Sequence, residues 1–305
     1  MKIGTMSVVV GDASCNAKCP FCVSKMTASA SIMPCTEDID YRRFDIACRF
    51  AAQSGVSTVL LTGTGEPTLH PELIKKYLTS LYTSRKFPFI ELQTNGIKLI
   101  DMKKDLEKWY RLGLTLVCLS VTHYDAQTNS ELMPPNGNLR LPIWETVSFL
   151  HEIGFSVRLN CTMVKGGIDS KEEVGAMVDL CRLNEVEQLT FRDVTTPTKT
   201  NNPEVTKWVL DNGVKYRTKG SSSNQSGNVM VQEYLYENDA TMIMTLPHGA
   251  YVWDCQGQNV SNNNCLTTTL APNEIRQLIF VQRKRNGRPR GQLRYDWVYE
   301  GAIIL

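Results

Sequence analysis

Short apolar runs alternate along the chain with longer segments in which apolar residues recur at helical spacing. The short runs are rich in β-branched residues and predict strands over Gly4–Val10, Val56–Leu61, Phe89–Gln93, Thr115–Val121, Ser156–Cys161 and Gln188–Phe191. The longer segments predict helices over Tyr41–Gln53, Pro71–Ser84, Met102–Leu112, Pro142–Glu152 and Lys171–Leu183. Strand and helix in repeated succession predict an α/β fold in which parallel strands are joined by right-handed crossovers.

The pattern changes beyond residue 200. A Thr-, Pro- and Asn-rich segment reads as a loop over Val194–Pro203, and a serine-rich stretch follows a short helix around Glu204–Leu210. Short alternating runs then predict strands at Val229–Tyr236, Thr241–Leu246 and Ala250–Asp254. We therefore expect two units: a βα domain over residues 1–200, and a small β-rich extension over residues 201–305 that covers the mouth of the first unit and contributes to substrate binding.

A basic run, Arg-Lys-Arg-Asn-Gly-Arg-Pro-Arg, lies between two alternating segments near the C-terminus. Its position predicts the tip of a β-hairpin. Arginine forks match phosphate and carboxylate groups, so Arg288 and Arg290 are candidate ligands for an anionic substrate. A solvated hairpin tip without a ligand is the alternative interpretation.

Composition and charge narrow the class of protein. With 42% hydrophobic and 21% charged residues, the 305-residue chain is typical of a globular protein. A formal net charge of +2 indicates neither a nucleic-acid partner nor a membrane-surface protein. No apolar run approaches the roughly 20 residues of a membrane span, and no signal peptide precedes the first strand, so we expect a cytoplasmic protein. In that setting, ten cysteines indicate metal ligation and buried thiols rather than disulfides.

Three of these cysteines lie close together after the first predicted strand. Cys15, Cys19 and Cys22 have the spacing C-x3-C-x2-C. Three thiolates can hold three corners of a [4Fe–4S] cube and leave the fourth iron open to a ligand. A zinc site is the alternative, but zinc usually takes four ligands in two pairs, and Cys35 is the one further candidate nearby. The motif therefore favours an iron–sulfur cluster with an open iron.

Further polar turns follow the next predicted strands. Gly63-Thr64-Gly65-Glu66-Pro67 follows the second strand, and its glycines allow a close approach of the backbone to a ligand. Thr94-Asn95-Gly96 follows the third strand. Because function gathers at the carboxyl ends of parallel strands in barrel folds, we expect these turns to lie beside the cysteines.

Taken together, these residues resemble those of the radical S-adenosylmethionine (radical SAM) enzymes. The resemblance rests on the three cysteines with aromatic Phe21, on the Gly-Glu-Pro turn and on Thr94-Asn95-Gly96, Leu119-Ser120-Val121 and Val157-Arg158-Leu159-Asn160. It covers about two-thirds of the chain, with Thr64 in place of the first of two adjacent glycines. Strands five and six are most similar to the branch that contains the GTP cyclase of molybdenum-cofactor synthesis and related tailoring enzymes.

The resemblance implies a partial (β/α)6 TIM-like barrel with a [4Fe–4S] cluster and S-adenosylmethionine as cofactors. It implies that Cys15, Cys19 and Cys22 ligate the cluster. It also implies that S-adenosylmethionine is bound by residues of the turns and strand ends, namely Phe21, Gly63, Gly65, Glu66, Pro67, Asn95, Ser120 and Asn160. A reduced cluster would cleave S-adenosylmethionine to a 5′-deoxyadenosyl radical, which takes hydrogen from the substrate, and an electron donor such as flavodoxin or ferredoxin is implied.

We expect the substrate to be a small polar molecule, and nucleotides and phosphorylated compounds are among the candidates. Candidate substrate ligands are His123, Arg192, Gln258, Asn259, Arg288 and Arg290, and Cys255 is a candidate radical-quenching thiol. Modification of a peptide, or activation of a glycyl-radical partner, is an alternative function. A non-enzymatic iron–sulfur electron carrier is a further alternative, although it leaves the Gly-Glu-Pro turn unexplained.

Overall fold

The computed structural model describes residues 3–26, 38–84, 86–137, 139–197, 200–218, 223–246, 250–264, 275, 277–285, 288–297 and 301–305. Its strands are β1 Thr5–Val9, β2 Thr58–Thr62, β3 Phe89–Thr94, β4 Leu116–Val121, β5 Ser156–Met163, β6 Gln188–Asp193, β7 Thr241–Thr245, β8 Tyr251–Cys255, β9 Gln258–Asn264, β10 Gln277–Arg285 and β11 Arg288–Arg294. Its α-helices are α1 Val23–Met26, α2 Tyr41–Gln53, α3 Pro71–Ser84, α4 Lys103–Arg111, α5 Ala126–Leu132, α6 Ile143–Ile153, α7 Lys171–Leu183, α8 Pro203–Asn212 and α9 Gly227–Glu237. Short 3-10 helices cover Pro67–Leu69 and Leu99–Met102.

The described strands form one 11-stranded sheet in the order β11-β10-β1-β2-β3-β4-β5-β6-β9-β8-β7. Strands β10, β1 to β6 and β9 run parallel, and β11, β8 and β7 are antiparallel to their neighbours. The two ends of the sheet are not paired with each other, so the barrel is open. The predicted α/β class and partial barrel are confirmed.

The two faces of the sheet differ in chemistry. Alternate residues of each parallel strand, such as Val59, Leu61, Val117 and Leu159, join the apolar core under the helices. The residues between them point to the other side, which we call the inner face, and are largely polar. Because apolar burial against helices stabilises only one face, the inner face is free to carry functional groups.

Local chemistry explains several element boundaries. Ser170 precedes α7, and its Oγ accepts a hydrogen bond of 3.2 Å from Glu173 N, as the Ser-x-x-Glu pattern predicts. Gly154 ends α6 with φ +108°, a left-handed conformation that is costly for other residues.

The C-terminal part departs from expectation at two places. Val229–Tyr236, predicted as a strand, lies within helix α9, since Met230, Val231 and Leu235 bury one helical face. The carboxylate of Asp193, at the end of β6, accepts a hydrogen bond of 2.9 Å from Asn228 N and so caps this helix. The polar segment that contains Gln258 and Asn259 forms strand β9, which the sequence did not predict.

The predicted hairpin at the basic run is confirmed, because β10 and β11 pair antiparallel from Ile279↔Arg294 to Arg285↔Arg288. The boundary near residue 200 stays a prediction, since strands from both sides of it belong to one sheet. Within the described residues, no helix has the length and apolar character needed to cross a membrane.

Candidate active site

The three motif cysteines lie on the loop that follows β1, at the carboxyl ends of the parallel strands. The turn after β2 packs directly on this loop, since Glu66 N donates a hydrogen bond of 2.8 Å to Ser14 O. A Cβ at Gly65 would lie 2.1 Å from Ser14 O and 2.6 Å from Asp12 O. Only glycine therefore fits at this position, and the reason is contact between two backbones.

The Glu66 carboxylate joins this turn to the one after β3. It is buried, and its Oε1 accepts hydrogen bonds from Thr68 N at 3.0 Å, Thr68 Oγ1 at 2.7 Å and Thr94 Oγ1 at 2.6 Å. Its Oε2 accepts one hydrogen bond, of 2.9 Å, from Asn95 N. Glu66 is therefore a scaffold of the site, and Oε2 keeps acceptor capacity for the cofactor role that the sequence predicts.

Asn95 connects this scaffold to the cysteine loop. Its side-chain amide donates to Asn16 Oδ1 at 2.7 Å and lies 3.8 Å from Cys15 Sγ. Ala17 N lies 3.4 Å from the same sulfur. Two N–H donors thus point at one thiol, which is how proteins stabilise a thiolate that binds metal.

The thiols of the loop share one environment. The pKa of Cys19 is raised to about 12, chiefly by burial and also by the neighbouring thiols of Cys22 and Cys15. Burial also raises the pKa of Cys15, to which Glu66 and Cys22 contribute. Ligation of iron by these thiols must therefore release protons.

No three His, Cys, Asp or Glu side chains in the described ranges lie close enough to hold a single metal ion. In a [4Fe–4S] cube each thiolate binds a different iron, so its ligands stand farther apart than around one ion. The half-buried, mutually interacting thiols and the two N–H donors at Cys15 fit such a cube.

An apolar cover lies over the cysteine loop. Phe21 is buried, and its ring centroid is 5.8 Å from that of Trp208 on α8. The other buried members of this cluster are Met26, Met133, Val164, Val194 and Val209, and Cys19 packs against it. The cover excludes water from one side of the loop, as a cluster with a tuned potential requires.

Polar groups without protein partners line the inner face near the mouth. Ser120 and Asn160 are neighbours in the register of β4 and β5, and Asn160 Oδ1 is buried without a hydrogen-bond partner. Two further atoms are also buried without a hydrogen-bond partner, Arg192 Nε on β6 and Thr64 Oγ1 in the turn after β2. Buried polar groups are normally paired, so these atoms fit a site that binds polar cofactor or substrate groups.

An ion pair lies on the inner face below Ser120 and Asn160, two residues farther from the mouth along β4 and β5. Arg158 Nη2 on β5 binds Glu91 Oε1 on β3, and its Nε lies 3.4 Å from Cys118 Sγ on the strand between them. Glu91 also accepts a hydrogen bond of 2.9 Å from Gln93 Nε2. This cluster ties three strands together and was not predicted, because its members are far apart in the sequence.

Four sequence predictions about the site need correction or a new interpretation. Cys255 is buried in the helix-side core at the end of β8 remote from the mouth, so the structure does not bring it to the candidate site. Gln258 also faces the helices, and its Nε2 donates to Val186 O at 2.9 Å. Asn259 lies at the same remote end, since β9 runs parallel to β6. Neither residue is placed to bind substrate at the mouth.

His123 is placed near the mouth but is already engaged. Its Nδ1 accepts a hydrogen bond of 2.9 Å from Asp125 N, and its Nε2 lies 3.1 Å from Glu173 Oε2. The ring is buried and joins the loop after β4 to α7. Both ring nitrogens of His123 therefore have partners within the protein, and its contact with substrate stays a prediction.

Two residues of the inner face escaped the sequence reasoning. Thr162 and Asn263 flank Arg192 in the register of β5, β6 and β9 at the mouth. Both residues lie on the same face of the sheet as Arg192, and this shared face is the signal that identifies them. The signal cannot be read from the sequence alone, because it depends on the pairing of β9 with β6.

Comparison with known proteins identifies the family. A profile of the radical SAM superfamily matches residues 13–181, more than half of the chain. The chain belongs to the radical SAM superfamily. Enzymes of this superfamily use a [4Fe–4S] cluster and S-adenosylmethionine, and the matched residues include all three motif cysteines.

Two relatives confirm the resemblance to the GTP cyclase branch. The chain is 27% identical over 168 residues to the GTP 3′,8-cyclase of Aquifex aeolicus, covering 55% of this chain and 49% of that protein. It is 30% identical over 179 residues to the GTP 3′,8-cyclase of Clostridium acetobutylicum, covering 57% and 51% respectively. The match thus spans about half the length of these relatives.

A solved structure shows the same fold. Streptococcus suis SuiB bound to S-adenosylmethionine superposes with a TM-score of 0.54 and 16% identity, over 91% of this chain and 58% of that one. A second SuiB structure gives a TM-score of 0.52 and 18% identity, over 90% and 52%. The similarity in fold therefore extends into the C-terminal strands of this chain.

Proposed function

We propose that this radical SAM protein is an enzyme that abstracts hydrogen from a small polar substrate held at the mouth of its open barrel. The observation that carries the proposal is the cysteine loop, clamped by the Gly65 contact and by the buried Glu66 carboxylate. An electron carrier needs the cysteines but no second loop of this kind. The unpartnered polar atoms of Asn160 and Arg192 support binding of further groups beside the cluster.

In this proposal Cys15, Cys19 and Cys22 hold the cluster. When bound, the cluster and S-adenosylmethionine supply an organic radical able to take hydrogen from carbon. The turn at Gly65 and Glu66 receives the amino end of S-adenosylmethionine.

The strand ends supply the remaining contacts. Ser120 and Asn160 bind its hydroxyl or carboxylate groups, and Arg192 faces the substrate. The cover formed by Phe21 and Trp208 keeps water from the cluster.

The relatives support a polar substrate, since both carry the name of an enzyme that cyclises GTP. The inner face agrees, because its described residues near the mouth are mainly hydroxyl, amide and guanidinium groups. A reductant is part of the proposal, and flavodoxin or ferredoxin is the class of protein that would supply the electron.

The test is production of 5′-deoxyadenosine by anaerobically reconstituted protein with dithionite and S-adenosylmethionine. Cys19→Ala should abolish it, and Cys48→Ala, a buried cysteine of α2 outside the loop, should retain it. Nucleotides, sugar phosphates and peptides are then added separately. We expect the rate of 5′-deoxyadenosine production to rise with a polar small molecule. Protein verified to carry its cluster that makes no 5′-deoxyadenosine would favour the electron carrier.

A further inference from the structure

The basic hairpin of β10 and β11 places two arginines directly opposite each other. Arg283 on β10 pairs in register with Arg290 on β11. Directly opposed residues of an antiparallel pair have their side chains on the same face, about 5 Å apart at Cβ, where like charges repel. The next odd-numbered residue of β10, Arg285, pairs in register with Arg288.

The Arg283 guanidinium lacks the partners that such a group normally has. Its Nε and Nη2 are buried and have no hydrogen-bond acceptor. Elsewhere in the described chain, Arg158, whose side chain is 20% exposed, is matched by the buried Glu91 across the sheet. A guanidinium that has two buried, unpartnered nitrogens and faces a second arginine is unfavourable unless an anion neutralises it.

The pair lies on the inner face, on the side of the sheet that carries the candidate site. Arg283 has the parity of Ile279 and Val281, which pack with Val9 and Trp297 on that face. Phe280, of the opposite parity, packs against Phe44 and Tyr77 under the helices.

The pair also lies at the mouth. Strand β10 is parallel to β1, with Val8 opposite Phe280. Continuing this register by three residues brings Arg283 level with Gly11, where the cysteine loop begins. Neighbouring strands are about 4.8 Å apart, so Arg283 borders the start of the loop that holds the cysteines, and Arg290 on β11 lies one strand farther from it.

We propose that Arg283 and Arg290 form a binding site for a phosphoryl group of the substrate. Two adjacent forks present parallel N–H donors and two positive charges, which match a doubly charged phosphate better than a single carboxylate. This inference rests on the proposed function for its biological meaning, since the phosphoryl group would anchor the substrate beside the radical source. The anion site itself is testable without any radical chemistry.

The experiment measures thermal unfolding and calorimetric binding of the full-length chain with inorganic pyrophosphate, at ionic strength held constant with potassium chloride. Wild-type protein should show saturable binding and a rise in Tm. Arg290→Gln and Arg283→Gln should each weaken binding at least tenfold. Arg111→Gln, which removes the same charge from an exposed position on α4, should bind pyrophosphate as wild type does.

The Tm of the arginine variants in anion-free buffer distinguishes a ligand-binding role of the two arginines from a structural one. Because the paired arginines repel each other, Arg290→Gln should have a Tm equal to or above that of wild type in anion-free buffer. If Arg283→Gln fails to fold, Arg290→Gln and Arg290→Lys still decide the question, and the lysine variant should bind at intermediate strength because it keeps the charge and loses the fork.

Several outcomes would overturn the inference: no binding of pyrophosphate by wild type, equal binding by Arg290→Gln, or equal response to acetate at the same ionic strength. If Arg290→Gln lowers the Tm by the same amount with and without pyrophosphate, the role of Arg290 is purely structural. Production of 5′-deoxyadenosine together with unchanged anion binding by Arg290→Gln would remove only this inference. Anion binding that depends on Arg290, in protein that makes no 5′-deoxyadenosine, would remove only the proposed function.

Discussion

Replacement of Glu66 by Gln tests whether the buried carboxylate holds the candidate site together. Glutamine has the same shape but replaces one oxygen by an NH2 group. If the amide oxygen stays with the three donors at Oε1, the NH2 faces Asn95 N, which then has no acceptor. The opposite orientation leaves Thr68 N without one.

The cost follows from these contacts. Loss of a buried hydrogen bond to a charged group costs about 2 kcal/mol, and the stranded N–H adds about 1 kcal/mol. We therefore expect Glu66→Gln to lower the free energy of unfolding of the cluster-free chain by about 3 kcal/mol. Urea unfolding followed by far-ultraviolet circular dichroism measures this change.

Glu72→Gln is the matched control. Glu72 lies on α3 with its side chain 73% exposed and pairs with Lys75 at 2.9 Å, so Glu72→Gln should leave the unfolding midpoint close to that of wild type. Equal unfolding midpoints for the two variants would refute the scaffold role of Glu66. A Glu66→Gln protein with wild-type stability and weakened S-adenosylmethionine binding would show that the carboxylate is a ligand instead.

Three further perturbations follow from the structure. Glu91→Gln leaves Arg158 without its counter-charge and should lower the free energy of unfolding in urea by about 3 kcal/mol. Combining Glu91→Gln with Arg158→Met should restore part of that free energy. A double variant no more stable than the single one would contradict the pairing. Trp208→Ala removes the ring that packs on Phe21 and should speed loss of the reconstituted cluster to a chelator, measured by its visible absorbance, while Leu210→Ala on the exposed side of α8 should not. Burial raises the pKa of Cys48 from 9.0 to about 12, so the unfolded chain binds fewer protons than the native one between these values. Unfolding therefore becomes easier as pH rises above 9, by about 1.4 kcal/mol per pH unit for this thiol, and Cys48→Ala should reduce the slope of stability against pH by that amount.

Much of the fold and the centre of the site were predictable from local sequence. The strands and helices of the first six βα units follow from apolar periodicity, because each element buries one face whatever its partner is. The three cysteines and the Gly-Glu-Pro turn stand within short segments, so their spacing alone indicates the chemistry. The hairpin at the basic run was equally readable, since its two strands are neighbours in the chain.

Properties that depend on pairing between distant segments were not predictable. Cys255 and Gln258 sit near a suggestive polar stretch, but the pairing of β9 with β6 turns both toward the helices and away from the mouth. A shift of one residue in a strand exchanges its two faces, and short-range sequence carries no information about which strand lies beside it. For the same reason the Glu91–Arg158 pair, which bridges two strands across a third, and the capping of α9 by Asp193 became visible only once the sheet was assembled.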